Sequence, residues 1–342
     1  MEEIIENNID DKEEKVEEKK SIRQFYFKEL REELLILEGD RKKIIKLSIT
    51  LGVIVLLGAG IIATANAFNK LGIGIIAAVI VCIYPLIKYG IELSSLSTDY
   101  KRNYKSKIVR KIVNFVDKGL SYNPERYIEQ VLFQGSKIFQ ERIDRYRGDD
   151  LVTGTIDKTS ISFSEIHAEY KTETRDSKGR KQTHWHTIFK GLFFMADFNK
   201  DFNSFTVVMP DSAERVFGKF GQTLQSLGTM FSTRELVKLE DAEFEKYFAV
   251  YSPNQVEARY ILSPTMMEKL VEFRKSVNRE IYISFNFSKV FIGVPIQEDL
   301  FEPSIMNSIL DIAPIERYYK IIELMVGIVN ELDLNTRIWS KE

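Results

Sequence analysis

Residues 47–68 and 71–87 carry no charged side chain, and only Asn69 and Lys70 stand between the two runs. A helix rises 1.5 Å per residue, so the first run measures about 33 Å, enough to cross a hydrocarbon core of about 30 Å. The second run is shorter, but Lys88 can extend its stem along lipid and Tyr89 can sit at the interface, which carries the span to residue 89. A link this short forces the two helices to lie antiparallel as neighbours. Gly58, Gly60, Gly72, Gly74 and Ala78 are expected to let their backbones approach closely. Pro85 removes one backbone donor and predicts a kink, yet no ionisable residue stands at mid-depth, so the pair fits an anchor rather than a transport path.

Charge sets the orientation. Arg41, Lys42, Lys43 and Lys46 precede the first run and Lys88, Lys101, Arg102 and Lys105 come after the second, against Lys70 alone in the link. The positive-inside rule then predicts a multi-pass protein of the cytoplasmic (inner) membrane with both termini in the cytoplasm. The residues before the first run are rich in charge, unlike the short basic start of a cleavable signal, so that run is expected to be a permanent anchor. Residues 1–20 hold too few apolar side chains to offset their ordering entropy and are expected to form a disordered acidic tail. The one cysteine, Cys82, lies inside the second run, which excludes an intramolecular disulfide and a cysteine-based zinc cluster and fits a reducing compartment. Over the whole chain 48 basic residues nearly balance 50 acidic ones, so there is no electrostatic footprint for nucleic acid.

Two amphipathic stretches flank the spans. Residues 21–46 read as a cytoplasmic helix with Phe27, Leu30, Leu34 and Leu37 on one face. Residues 99–140 read as a basic juxtamembrane helix and then a helical linker, with Tyr104, Ile108, Ile112 and Phe115 on the apolar face. The basic helix has two possible partners. It can pack on residues 27–37 as a stalk, or it can lie on anionic headgroups through Lys88, Lys101, Arg102, Lys105, Lys107, Arg110 and Lys111. Asn123 before Pro124 has the form of an N-cap and predicts a further helix through Tyr127, Val131 and Leu132.

Beyond Gly148 the apolar period changes to two. Residues 141–210 are expected to form an antiparallel β meander whose longest hairpin turns at Asp176-Ser177-Lys178-Gly179-Arg180. Gly218, Gly221 and Gly228 mark residues 211–239 as a flexible connector. Residues 240–342 alternate, with a strand at 257–262, a hairpin at 280–294, a helix at 314–332 and a docked segment at 336–339, and so read as an α+β subdomain. The fold class predicted is a membrane protein: an N-terminal two-helix transmembrane hairpin, then a soluble α+β domain with antiparallel sheets.

Several stretches resemble a bacterial membrane-protein family catalogued as domain of unknown function 3137. They are Leu37-Glu38-Gly39-Asp40-Arg41-Lys42-Lys43, Ser136-Lys137-Ile138-Phe139, Tyr146-Arg147-Gly148-Asp149-Asp150 and the run from Tyr251 to Tyr260. Asp299-Leu300-Phe301-Glu302-Pro303 and Leu334-Asn335-Thr336-Arg337-Ile338-Trp339 complete the pattern. The resemblance covers residues 25–339 and implies architecture without an activity. It also implies a LemA-type membrane protein as the class of partner.

Few constellations suggest chemistry. His184 and His186 lie two apart, which places both rings on one face of a strand, and Glu173 is expected opposite His184 to complete a metal site. The competing reading is a pair of surface histidines on a solvated face. Arg147-Gly148-Asp149 is ordinary turn chemistry, Asn286-Phe287-Ser288 reads as a hairpin turn, and the glycines at 218, 221 and 228 lack the ending of a phosphate loop. No cofactor is indicated. The leading expectation is a membrane-anchored cytoplasmic binding or scaffold protein with the lipid bilayer and a protein as partners. The alternative is a metal-assisted hydrolase using His184 and His186.

Overall fold

A computed structural model describes residues 22–68, 71–175, 179–198, 202–211, 235–332 and 334. The expected acidic tail, the glycines of the connector, the hairpin tip at 176–178 and the segment 336–339 lie outside the described residues. The chain divides into two compact units, Met1–Ile112 with Phe301–Tyr319 and Val113–Leu300 with Lys320–Glu342.

In the first unit α1 (Arg31–Ala67) extends a π-turn at Tyr26–Leu30, and α2 (Leu71–Tyr104) runs through Pro85 into a second π-turn at Lys105–Val109 and then α3 (Arg110–Val116). Both apolar runs lie in helices long and apolar enough to cross a membrane. The two helices touch where the Cys82 thiol reaches the Ile54 carbonyl at 3.6 Å. A Cβ added at Gly58 would meet that sulfur at 3.2 Å, whereas Gly60 and Gly72 face open space. Of the glycines expected at the contact, Gly58 is therefore one that closeness requires.

Beyond their apolar runs the helices form a stem. Tyr26, Leu30, Leu34 and Leu37 from one side and Tyr100, Tyr104 and Ile108 from the other are all buried. Phe27, expected on this face, is exposed, because the π-turn rotates the backbone so that Tyr26 lines up with Leu30 instead. Residues 301–312 have no helix or strand and lie along the stem, where Phe301 packs its ring 5.2 Å from that of Tyr318.

The second unit holds an antiparallel sheet in the order β1-β2-β3-β4-β9-β8-β5-β7-β6 among the described residues. Its strands are β1 (Leu120–Asn123), β2 (Arg145–Ile156), β3 (Thr159–Arg175), β4 (Lys181–Asp197), β5 (Thr206–Pro210), β6 (Glu235–Val237), β7 (Phe248–Ser252), β8 (Tyr282–Asn286) and β9 (Lys289–Pro295). The division into a meander and a separate α+β subdomain is corrected here. β4 pairs with β9 from Gly191–Pro295 to Asp197–Lys289, so the early and late strands share one sheet. Gly191 makes that junction possible, since its φ is +152° and a Cβ there would lie 2.2 Å from the Val294 carbonyl.

Helices α4 (Gln130–Gly135), α5 (Ala242–Glu245), α6 (Gln255–Ile261) and α7 (Pro264–Val277) belong to this unit, and α8 (Ala313–Glu331) gives it its later turns. An apolar cluster around Phe133, Phe189, Phe193 and Phe291 packs α4 on β4 and β9, with the Phe133 and Phe193 rings 4.9 Å apart. Two local expectations are corrected. Asn123 does not cap a helix: its Oδ1 accepts from the Glu125 amide in a turn over 124–125, and Leu151 N–H donates to Arg126 O, so 126–129 runs beside β2 without helix. Residues 257–262 are not a strand but part of α6, whose cap is Asn254 accepting from the Glu257 amide at 3.1 Å.

Candidate functional site

Helix geometry puts Leu30, Leu34, Leu37, Arg41 and Ile44 on one stripe, so Arg41 enters the stem core as a charge at an apolar position. It is held there by Glu38, one turn back. Arg41 Nε donates to Glu38 Oε2 at 2.9 Å and Nη2 donates to Oε1 at 2.6 Å, a two-pronged pair with both residues buried. The remaining donor, Nη1, reaches the Ile305 and Met306 carbonyls at 2.9 and 3.4 Å. Glu38 Oε2 accepts from the Ile309 amide at 3.2 Å. Both charges thus spend their spare capacity on the main chain of the 301–312 strap.

Further side chains of the stem treat the strap the same way. Tyr100 donates to Ser304 O at 2.9 Å and Tyr26 to Leu310 O at 2.7 Å. Lys105, buried, pairs with Glu302 at 2.8 Å, and Lys101 pairs with the other oxygen of that carboxylate at 3.0 Å. Lys111 ties the two helices together through Glu33 at 2.6 Å. These contacts set the electrostatics. The Arg41 guanidinium holds the Glu38 carboxyl below the usual carboxylate range, and the Ile309 amide adds to this. Burial pushes the Glu302 carboxyl up, but Lys105 and Lys101 outweigh it and the net direction is down. Burial raises the Tyr100 and Tyr104 hydroxyls far above their ordinary value, so both remain donors. The arrangement is a polar clamp that fixes one segment along another.

A second cluster lies where β2, β3 and β4 meet. Arg145 grips Glu169 at 2.5 and 2.8 Å, Arg147 adds a contact at 3.1 Å, and His167 lies 3.7 Å from the same carboxylate. Arg145 also stacks on Trp185, 4.0 Å from the ring centre. The Arg145 contact pulls the Glu169 carboxyl down, and burial lowers the His167 ring, with Arg147 and Lys190 adding to that.

Neither candidate histidine finds a metal partner. His184 and His186 do share a face of β4, but the residue opposite His184 is Thr172, and Glu173 pairs with Thr183. That offset of one residue turns Glu173 to the other face, where Lys171 and Lys181 neutralise it. His186 instead stacks on Tyr170 at 4.8 Å and meets the Thr172 hydroxyl at 2.8 Å. No group of three metal-ligating side chains occurs among the described residues. Of the seven basic residues expected at headgroups, Lys101, Lys105 and Lys111 are engaged within the stem. Arg102 pairs with Asp99 at the surface, Lys107 and Arg110 are exposed, and Lys88 lies 5.8 Å from the Tyr89 ring centre. The clamp residues Glu38, Arg41 and Glu302 do not stand out as a site in the sequence, although a charge on the 30-34-37-41-44 stripe is a legible signal.

Residues 187–334 match a family described as a protein of unknown function, DUF3137. The resemblance read in the sequence holds over that part of the chain. No curated protein matches the chain. Among solved structures it is similar to the crystal structure of the mycobacterial trehalose monomycolate transport factor A, TtfA, with 11% identity and a TM-score of 0.33, over 66% of this chain and 96% of that one.

Proposed function

We propose that the chain is a membrane-anchored scaffold: the α1–α2 hairpin spans the cytoplasmic membrane, and the sheet-bearing unit is held on the cytoplasmic side to bind a partner. One observation carries this reading. The charge-free stretches of α1 and α2 are apolar and uncovered, with Leu56 at 72% and Ile80 at 71% exposure. A core helix of a soluble protein buries such residues, and each left in water forgoes roughly 1.5–3 kcal/mol. A bilayer covers all of them at once. The clamp supports the scaffold half of the reading, because it ties the base of the hairpin to a segment inserted between β9 and α8. Of the basic set, Lys88 at the end of the second run serves as a contact for anionic headgroups, whereas Lys107 and Arg110 stand 18 and 21 residues beyond Tyr89, about 27 and 31 Å along the helix, out of their reach. A LemA-type membrane protein is the partner class that the family resemblance suggests.

Membrane fractions washed with alkaline carbonate test the anchor. The full chain is expected in the pellet, and release into the supernatant by carbonate or by high salt would show a peripheral protein instead.

A further inference from the structure

The β3–β4 hairpin runs on past its neighbours in the sheet. Residues 171–175 and 181–185 are exposed on both faces, and a two-stranded ribbon in water is marginally stable at best. Among the described residues β2 pairs along β3 only as far as Arg145 with Glu169, and β9 pairs along β4 only as far as Pro295 with Gly191. Residues 181–189 therefore have β3 on one side and no described strand on the other. That side is a sheet edge at which a further strand can pair.

The two edges of the ribbon differ in how they are guarded. The β3 edge carries Lys171, Glu173 and Arg175, charges of the kind that discourage added strands. On the β4 edge residues 182–189 hold no charge and no proline, and the lysines that bracket them are spent on Glu173 and Asp299, each at 2.8 Å. The run Thr183-His184-Trp185-His186-Thr187 also reads the same in both directions. An antiparallel second copy centred on Trp185 would thus set threonine against threonine and histidine against histidine, with no like charges opposed.

Paired residues share a face, so His184 and His186 of both copies would meet on one side of the joined sheet. They would stand about 5 Å apart across the strands and about 7 Å apart along them. A single chain supplies two imidazoles and no third ligand, whereas two copies supply four, enough for a tetrahedral ion with Zn–N bonds of about 2.0–2.1 Å. His186 is already oriented for this: its ring stacks on Tyr170 and its Nε2 lies 2.8 Å from the Thr172 hydroxyl, which leaves Nδ1 for a metal.

We propose that residues 183–187 are a self-docking edge, at which two copies of the chain join their sheets antiparallel about Trp185 and bind one divalent ion of the zinc class through His184 and His186 of each. So few residue pairs bury far less than the roughly 1,000 Å² of a stable interface, so the ion is what holds the two copies together. The inference makes no use of the membrane anchor and stands or falls apart from it.

The test uses the full chain in detergent micelles, stripped of metal by a chelator and then titrated with zinc sulfate. Light scattering reads the protein mass and elemental analysis the bound zinc. The mass is expected to double as one zinc is taken up per two chains, and chelator should reverse both. In the variant His184→Gln with His186→Gln, uptake and doubling should both be lost. Trp185→Lys keeps the histidines but opposes two ammonium groups at the centre of the pairing, and it should raise the zinc concentration needed for doubling. In a Cys82→Ala background, Trp185→Cys should form a disulfide with its own copy when zinc is present, while Gln182→Cys, set against Ile188, should not. Absence of zinc uptake, uptake of one ion per chain without a change in mass, or doubling that survives the double histidine variant would each overturn the shared site. Cross-linking at 182 in preference to 185 would overturn the pairing about Trp185.

Discussion

Arg41 shows how much a single side chain can decide in this stem. Alone on the buried stripe its charge would be costly, but Glu38 and the two strap carbonyls take up four of its five N–H groups. Arg41→Met therefore leaves Glu38 buried without its counter-charge, and unfolding of the full chain in micelles should show a loss of about 3–5 kcal/mol. Adding Glu38→Leu to that variant should recover most of the loss, since two apolar residues replace a pair whose net contribution is small. A double variant no more stable than Arg41→Met would mean that Glu38 is not the source of the cost. The same chemistry fixes a pH dependence. Glu38 and Glu302 both have folded-state values below the ordinary carboxylate value, so their stabilisation is complete above that ordinary value and is lost as pH falls through the lowered ones. Exchange at the Ile309 amide, corrected for its intrinsic rate, should stay slow from neutral pH down to about pH 4 and accelerate only in stronger acid. Acceleration between about pH 7 and 5 would point to a different titrating group.

At the scale of elements, the joint between β4 and β9 depends on one backbone position. Gly191→Ala would place a methyl against the Val294 carbonyl at a φ that L residues rarely adopt, and a loss of at least about 1–3 kcal/mol is expected in thermal unfolding. An unaffected melting temperature would show that the joint can relax. The long strands and the two long apolar helices are legible because their signals are continuous: alternating aromatic and β-branched residues in β3 and β4, and charge-free runs in α1 and α2. The illegible parts are local. Asn123-Pro124 has the form of a helix cap, though the edge it sits on needs a turn there, and the short apolar run at 257–262 hides the Asn254 to Glu257 cap of α6. The histidine site fails by one residue of register, which in a strand is the whole difference between facing Glu173 and facing Thr172. The pairing of β4 with β9, far apart in the chain, has no short-range signal at all. Neither does the π-turn that exchanges Phe27 for Tyr26 in the stem core.

For the whole molecule, the sequence motifs at 37–43 and 299–303 acquire a common role, since the clamp joins Glu38 and Arg41 to the strap that Glu302 opens. The lock fixes residues 301–312 along the stem within one compact unit, and the proposed membrane scaffold would need its hairpin held in that way. Which partner such a scaffold meets depends on the side of the bilayer each part occupies, and charge makes a definite forecast. Arg41, Lys42, Lys43 and Lys46 on one flank outweigh Lys70 in the link, which favours retention of the basic flank in the cytoplasm. In a Cys82→Ala background, a cysteine at Phe68, the exposed residue that ends α1, should react with a membrane-impermeant thiol reagent applied from outside once any outer barrier is opened. A cysteine at Lys158, in the exposed turn between β2 and β3, should react only after the cytoplasmic membrane is broken. The reverse pattern would place the sheet unit outside the cytoplasm and move the search for its partner there. Labelling of both positions in intact cells would show that α1 and α2 do not cross the bilayer, and their uncovered apolar faces would then require a protein partner in its place.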